Sequence, residues 1–192
     1  MLTDALQFLI RTGLDLLACA FFLRFWMQWA RVPVHNPFSQ FLMKATDFAV
    51  RPVRRVVPGF FGMDWASLLL LVGTKVLAVV AIHWLMSYPF AAAGTKVVPG
   101  FLALGLVASL RLGLYVLMGL IVLQTILSWV NPFSPHAPVF YALSRPVLAP
   151  FQKLIPPIGG VDLTPLAALI VIQLLLVAPV ATLERLARAL VW

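Results

Sequence analysis

Carboxylates are scarce in this chain. Six Asp and Glu stand against 14 Lys and Arg, and charged residues of every kind make up 10% of the 192 residues. A soluble domain carries about 25% charged residues, so an ordinary solvated surface is excluded. The single cysteine, Cys19, rules out an internal disulfide. His35, His83 and His136 have no metal-ligand spacing to one another or to Cys19. There is no Gly-x-Ser-x-Gly elbow and no glycine loop of the kind that cradles phosphate. The expectation is a non-enzymatic protein without metal or cofactor. A net charge of +8 would suggest nucleic acid in a soluble protein, yet nothing in the chain resembles a nucleic-acid module. "LLAC" (16–19) has the outline of a lipoprotein cleavage box. However, the segment before it lacks a basic start and carries Arg11 and Asp15, whereas a leader wants a charged start and a clean apolar region. The first apolar run is therefore expected to be retained.

What the chain does have is apolar residues, 62% of the total, with a mean hydropathy of +1.02. They are arranged in blocks. Residues 5–30, 65–90, 101–130 and 163–183 are each long enough to cross a bilayer, which takes about 20 apolar residues. The reading is an all-α membrane protein with four transmembrane helices. The basic residues fall mostly in short connections, where they set orientation. Anionic lipid headgroups are their default partner, at roughly 1 kcal/mol per basic residue near an anionic surface.

The chain is also a duplication. "RTGLDLL" (11–17) lies over "RLGLYVL" (111–117) at an offset of 100, which also puts Arg24 over Gln124 and Trp29 over Trp129. Asn-Pro-Phe follows in both copies. Then "PVRRVVPGFFGMD" (52–64) lies over "PFQKLIPPIGGVD" (150–162) at an offset of 98. The division is residues 1–97, with spans 5–30 and 65–90 and a connection 36–64, and residues 98–192, with spans 101–130 and 163–183 and a connection 131–162. A two-span unit leaves the membrane on the side it entered, so the copies are parallel repeats. The connections 31–64 and 131–162 then share one side. They hold Arg31, Lys44, Arg51, Arg54, Arg55, Arg145 and Lys153, against Lys96, Arg185, Arg188 and a snorkelling Arg11 on the other. That excess predicts cytoplasmic connections.

Each connection is expected to hold an interfacial amphipathic helix. Phe38, Phe41, Leu42, Ala45, Phe48 and Ala49 recur at helical spacing, with Ser39, Gln40, Lys44, Asp47 and Arg51 on the other face. Asn36 before Pro37 is a helix start, and Pro52 is expected to stop the helix. The second copy is weaker: Phe140, Leu143 and Val147 sketch the stripe, Asn131 and Pro132 supply the cap and start, and Pro135 and Pro138 delay it. Asp64 and Asp162 stand where a helix N-terminus favours a carboxylate. Trp26, Trp29, Trp65, Trp84, Trp129 and Trp192 fall near span ends, as an aromatic belt should.

Ionisable residues inside spans are functional candidates by default. Arg11, Asp15, Arg24, Lys75, His83 and Arg111 qualify. Arg24, His83 and Arg11 lie close enough to span ends to snorkel. Asp15 and Lys75 each lie ten residues into their spans, about 15 Å along a helix and near the midplane. They are expected to pair, with Arg11 flanking Asp15. Their repeat equivalents, Tyr115 and Gln173, would form a neutral donor–acceptor pair.

These motifs resemble the YggT family of bacterial and plastid membrane proteins, built from one or two copies of a two-span unit. "SWVNPFSP", "RPVLAPF" and "LIPPIGGVDLTPL" carry the likeness in the second copy: Gln124, Trp129, Asn131, Pro132, Phe133, Arg145, Pro146, Pro156, Gly159, Gly160, Asp162 and Pro165. The first copy matches more loosely through Arg24, Trp29, Asn36, Pro37, Phe38, Arg51, Pro52, Pro58, Gly62 and Asp64, with one glycine of the pair and no Ser/Thr-Pro. The resemblance implies a location in the inner membrane and no catalytic residues. It also implies links to osmotic-stress tolerance and ion uptake in some bacteria, and elsewhere to division, nucleoid distribution and assembly of membrane complexes. Two functions follow as expectations. One is a scaffold or assembly factor whose connections dock lipids and protein partners or a second copy. The other is an oligomeric small channel or transport subunit using Asp15, Lys75 and Arg111.

Overall fold

The computed structural model describes residues 1–192 except 60–61, 132, 157–161 and 192. Among the described residues there is no strand. Four helices are long and apolar enough to cross a membrane, at Leu2–Trp29, Trp65–Leu85, Phe90–Val130 and Thr164–Ala189. The first is α1, and α3 is Trp65–Leu85. The third comprises a short α4 (Phe90–Ala93), a 3-10 turn and α5 (Val98–Val130). The fourth comprises α7 (Thr164–Leu175), a π-helical turn over Leu176–Val180, and α8 (Ala181–Ala189). Between the spans of each half lies one further helix, α2 (Pro37–Val56) in the first and α6 (Ala137–Leu154) in the second.

Local chemistry sets most helix ends. Asn36 accepts a hydrogen bond from the Ser39 amide at 2.8 Å, and Pro37 needs no donor at the first helical position. Asp64 caps α3, accepting from the Ser67 hydroxyl at 2.8 Å and the Ser67 amide at 3.3 Å. The last span outruns the expected residue 183 because a π turn absorbs Pro179, where an α-helical hydrogen bond is missing. In contrast α3 stops at Leu85, short of residue 90, in a turn where Ser87 takes a φ of 59° ahead of Pro89.

Two expectations about the connections need correction. Pro52 does not end α2, which continues to Val56. The proline and Phe48, whose carbonyl loses its helical partner, both lie on the exposed side, where that carbonyl can find another donor. In the second half, Asn131 follows the end of α5 instead of capping α6. The latter begins only at Ala137, with Pro138 in its first turn. A start at Pro132 lies outside the described residues. The buried face of α2 also differs from the apolar stripe, for Ser39, Leu42, Thr46 and Val50 face the bundle while Phe41 and Phe48 are each 70% exposed. Thr46 turns inward to Arg24 of α1, and Ser39 to Asn36 and the Pro33 carbonyl before the helix.

The spans pack in the sequence α1, α3, α5, α7–α8, so the two halves meet where α3 lies along α5. A Cβ built on Gly105 of α5 would sit 2.2 Å from Val76 Cγ2 and 2.9 Å from Val76 Cα, so the backbones touch. Small residues at such crossings are how helices associate in lipid, where burial of apolar surface gives no drive. Helices α2 and α6 sit together at one end of the bundle. Leu42 and Leu143 share a core with Met27 and Leu120, the rings of Phe38 and Phe140 lie 5.9 Å apart, and Trp26 Nε1 donates to the Leu143 carbonyl at 2.8 Å. Both connections therefore lie on the same side.

Gly105→Val places two methyls against the Val76 backbone. It should separate α3 from α5 and cost about 1–3 kcal/mol, read as a lowered unfolding midpoint in detergent relative to Gly119→Val, whose site is open.

Candidate functional site: a buried guanidinium and a midplane ion pair

Arg24 approaches the end of α1 nearest the connections and is 8% exposed. It does not snorkel. Its Nη1 donates to Thr46 Oγ1 at 2.7 Å, Asp47 Oδ1 at 2.8 Å and the Met43 carbonyl at 3.2 Å, and its Nε lies 3.6 Å from Asp64 Oδ2. One guanidinium thus joins α1, α2 and the N-cap of α3. The planar fork of arginine suits this task, since its five donors point in fixed directions and stay charged. Two more arginines close the network: Arg51 Nη2 meets Asp47 Oδ2 at 2.6 Å, and Arg54 pairs with Asp64. Asp64 is 2% exposed, so its charge is held by Arg24, Arg54 and the α3 cap together. Gly62 supports the corner: its φ of 73° favours glycine, and its carbonyl accepts from Gln28 Nε2 at 2.9 Å.

The hydrogen bond from Arg24 holds the Asp47 carboxyl below its ordinary value of 3.8, helped by the charges of Arg24 and Arg51 and opposed by burial. A depressed carboxyl stabilises the fold at pH values above its unfolded pKa, and that contribution is lost as the pH falls through the folded one.

At midplane depth, Lys75 Nζ meets Asp15 Oδ1 at 2.6 Å, with side-chain exposures of 11% and 33%. Arg11, one turn away, is exposed and makes no hydrogen bond or ion pair. Tyr115 and Gln173, expected to pair in the second half, are both exposed and share no hydrogen bond. The reason is helical phase. Helix α7 meets Ile121 of α5 through Ala168 and Ile172, and Gln173, one residue after Ile172, is turned away. Arg111 instead pairs with Glu184 of α8, which also takes Arg188. His83 Nδ1 is 2.8 Å from the Val79 carbonyl, with Tyr88 and Phe101 edge-on to its ring.

The second half lacks the arginine hub. Gln124 stands in its place with Oε1 buried and without a hydrogen-bond partner, and Arg145 is exposed on α6. Asp162 accepts from the Thr164 amide at 2.8 Å but is itself exposed, while Pro165 is buried. Among the remaining motif positions, Trp29, Trp129, Pro58, Pro156 and Phe133 are exposed, and Pro146 lies inside α6. Gly159, Gly160 and Trp192 lie outside the described residues. Trp26 is bonded within the bundle instead of joining an aromatic belt. Sequence reasoning missed Thr46, Asp47 and Asp64 as partners of Arg24, and Arg54 as the second cation on Asp64. The available signal was that Asp47 is the one carboxylate on the connecting helix, four residues before Arg51. Among the described residues, no group of three His, Cys, Asp or Glu is placed to hold a metal.

Fold and network together define a multi-pass helical membrane protein whose halves each contribute two spans and a connecting helix. The family model described as CCB3/YggT matches it twice, over residues 3–85 and 103–183. The chain belongs to this family, and the two matches place one copy in each half. It is 36% identical over 174 residues to an uncharacterized protein of Vibrio alginolyticus, covering 88% of this chain and 90% of that one. To the uncharacterized protein YggT of Escherichia coli strain K12 it is 34% identical over 177 residues, covering 90% and 87%. An uncharacterized protein of Pseudomonas aeruginosa shows 34% identity over 180 residues, covering 91% and 87%. No solved structure matches the chain significantly.

Arg24→Gln should destabilise the protein by roughly 3 kcal/mol, because Asp47 and Asp64 lose a shared buried cation. The same unfolding measurement run against pH should show an acid-dependent loss in the wild type that is smaller in Asp47→Asn.

Proposed function

We propose that this is a non-enzymatic inner-membrane protein acting as a scaffold or assembly factor through its two connecting helices, which lie in the cytoplasmic membrane surface. One observation carries the reading. The outward side of α2 presents Phe41 and Phe48, each 70% exposed, beside Lys44, Arg51 and Arg55, which are exposed as well. Such a helix lays aromatic rings at the acyl boundary and cations among headgroups. Among the described residues Lys44 and Arg55 have no ion pair, which leaves them to meet anionic lipids or an acidic partner. Phe133 (94% exposed) and Tyr141 (49%) offer a similar though less basic surface in the second half. The seven basic residues of the connections favour the cytoplasmic side.

In this reading the Asp15–Lys75 pair is structural, with two opposite charges neutralising each other at 2.6 Å. Docked proteins or a second copy would be organised on the membrane surface, and any role in osmotic-stress tolerance would follow from what they assemble. The alternative, a small channel or transport subunit, requires oligomerisation and assigns a conducting role to Asp15, Lys75 and Arg111.

Photo-crosslinking from Phe41 or Phe48 in intact cells should trap a defined protein partner, and Lys44→Gln/Arg55→Gln should reduce that yield, having lost about 2 kcal/mol of attraction to the anionic surface. The competing measurement is ion flux in proteoliposomes. Asp15→Asn should leave flux at background, and a clear conductance change would sink the scaffold reading.

A further inference from the structure

Each carboxylate on the terminal side of the bundle already has a cation. Asp4 holds the N-terminal ammonium, Asp15 holds Lys75, and Glu184 holds both Arg111 and Arg188. From residue 65 to residue 161 the chain contains no Asp or Glu at all. Among the described residues Arg11 makes no ion pair, the carboxylate one turn away on its own helix, Asp15, being turned to Lys75. Its repeat equivalent, Arg111, shows what is missing. Arg111 is closed by Glu184, near the end of the second span of its half, whereas the corresponding positions of the first half, 85 and 86, are Leu and Met. The duplication has kept the cation and not its carboxylate.

Depth decides what can supply the anion. Eighteen residues separate Arg11 from Trp29 at the connection side, about 27 Å along the helix axis. The hydrocarbon core is about 30 Å thick, so Arg11 lies at its far edge, where a long side chain can reach the headgroups of the opposite leaflet. Its surroundings are those of a lipid-facing surface. Phe8, Thr12 and Leu16, spaced one turn apart, form a stripe beside Arg11, and Phe8 is 67% and Leu16 68% exposed. Between them the Thr12 hydroxyl is exposed and unbonded. An acyl chain can run along Leu16 while the phosphate meets the guanidinium and this hydroxyl.

We propose that Arg11 is a binding site for the phosphate of an anionic phospholipid in the leaflet opposite the connections, the lipid taking the place that Glu184 fills for Arg111. An arginine fork matches phosphate oxygens in a bidentate manner, and the low dielectric strengthens the contact. A headgroup with a net negative charge is preferred to a zwitterionic one, whose own ammonium competes for the phosphate.

The test measures lipid retention by native mass spectrometry of the full chain, and thermal stabilisation on adding dihexanoyl phosphatidylglycerol or dihexanoyl phosphatidylcholine. The wild type should retain phosphatidylglycerol about tenfold better than Arg11→Gln, and Lys96→Gln, which removes another cation of the same side, should behave as wild type. Arg11→Lys keeps the charge and should recover part of the retention, which separates a lost anion site from a misfolded variant. Met86→Glu supplies a carboxylate within the chain and should reduce retention while leaving the unfolding midpoint without lipid at or above that of the wild type. Equal retention in the wild type and Arg11→Gln overturns the proposal. So does equal stabilisation by inorganic phosphate, which would mark a general anion site. Crosslinking of position 11 to an acidic transmembrane segment of another protein, in place of lipid, would also overturn it.

Discussion

A single buried guanidinium fixes the shape of the first half. Arg24 reaches from a spanning helix to the connecting helix and to the cap of the next span, where Arg54 of the connecting helix meets the same carboxylate. Two carboxylates and three arginines then balance one another in a region of low dielectric, where an uncompensated charge is heavily penalised. Thr46 and Asp47 occupy the inner side of α2 along its middle turns, while Phe38 near its start packs against Phe140. Phe41 and Phe48 are turned outward. The surface through which the protein is proposed to act is thus the complement of an electrostatic lock.

The second half shows what happens without it. Gln124 keeps the position and a hydrogen-bonding group but leaves an acceptor unpartnered, and α6 begins several residues later than the Asn-Pro-Phe exit suggests. Apolar packing takes over there: Leu143 and Leu148 are buried, and the Ser144 hydroxyl donates to the Leu120 carbonyl at 3.2 Å. The two connecting helices, which meet through Phe38 and Phe140, therefore rest on different physics. The first is held by charges that pH can reach, the second by shape. A similar asymmetry marks the terminal side, where Arg111 has a carboxylate and Arg11 does not. A half with the cation but no matching carboxylate leaves a charge that something outside the chain can satisfy.

Much of the architecture was legible in the sequence because membrane spans are written in composition. Apolar blocks about 20 residues long have few other meanings, and two motifs repeated in order reveal the duplication. Asp15 and Lys75 were legible because equal distances into antiparallel spans give equal depth. The Arg24 network was not, since its partners lie 22, 23 and 40 residues away and only folding of α2 brings them together. The bundle-facing side of α2 was not legible for the same reason. In a membrane protein an exposed Phe is as well solvated as a buried one, so the polar residues decide which side faces the bundle. Pro52 shows a weaker rule yielding to geometry, as a proline on the exposed side of a helix is tolerated. The pairing of Tyr115 with Gln173 assumed that both halves keep one helical phase, and α7 does not.

The central claim is that Arg24 holds α2 at a fixed place on the bundle. It is tested most directly by a distance measured across that junction. In a Cys19→Ser background, nitroxide labels at Lys44 on α2 and at Trp84 near the far end of α3 report the position of the connecting helix by pulsed electron resonance in lipid nanodiscs. The account predicts one narrow distance distribution for the chain with Arg24, and a broad or divided one once Arg24 is replaced by Gln. Identical narrow distributions in both would show that packing alone positions α2, and would contradict it.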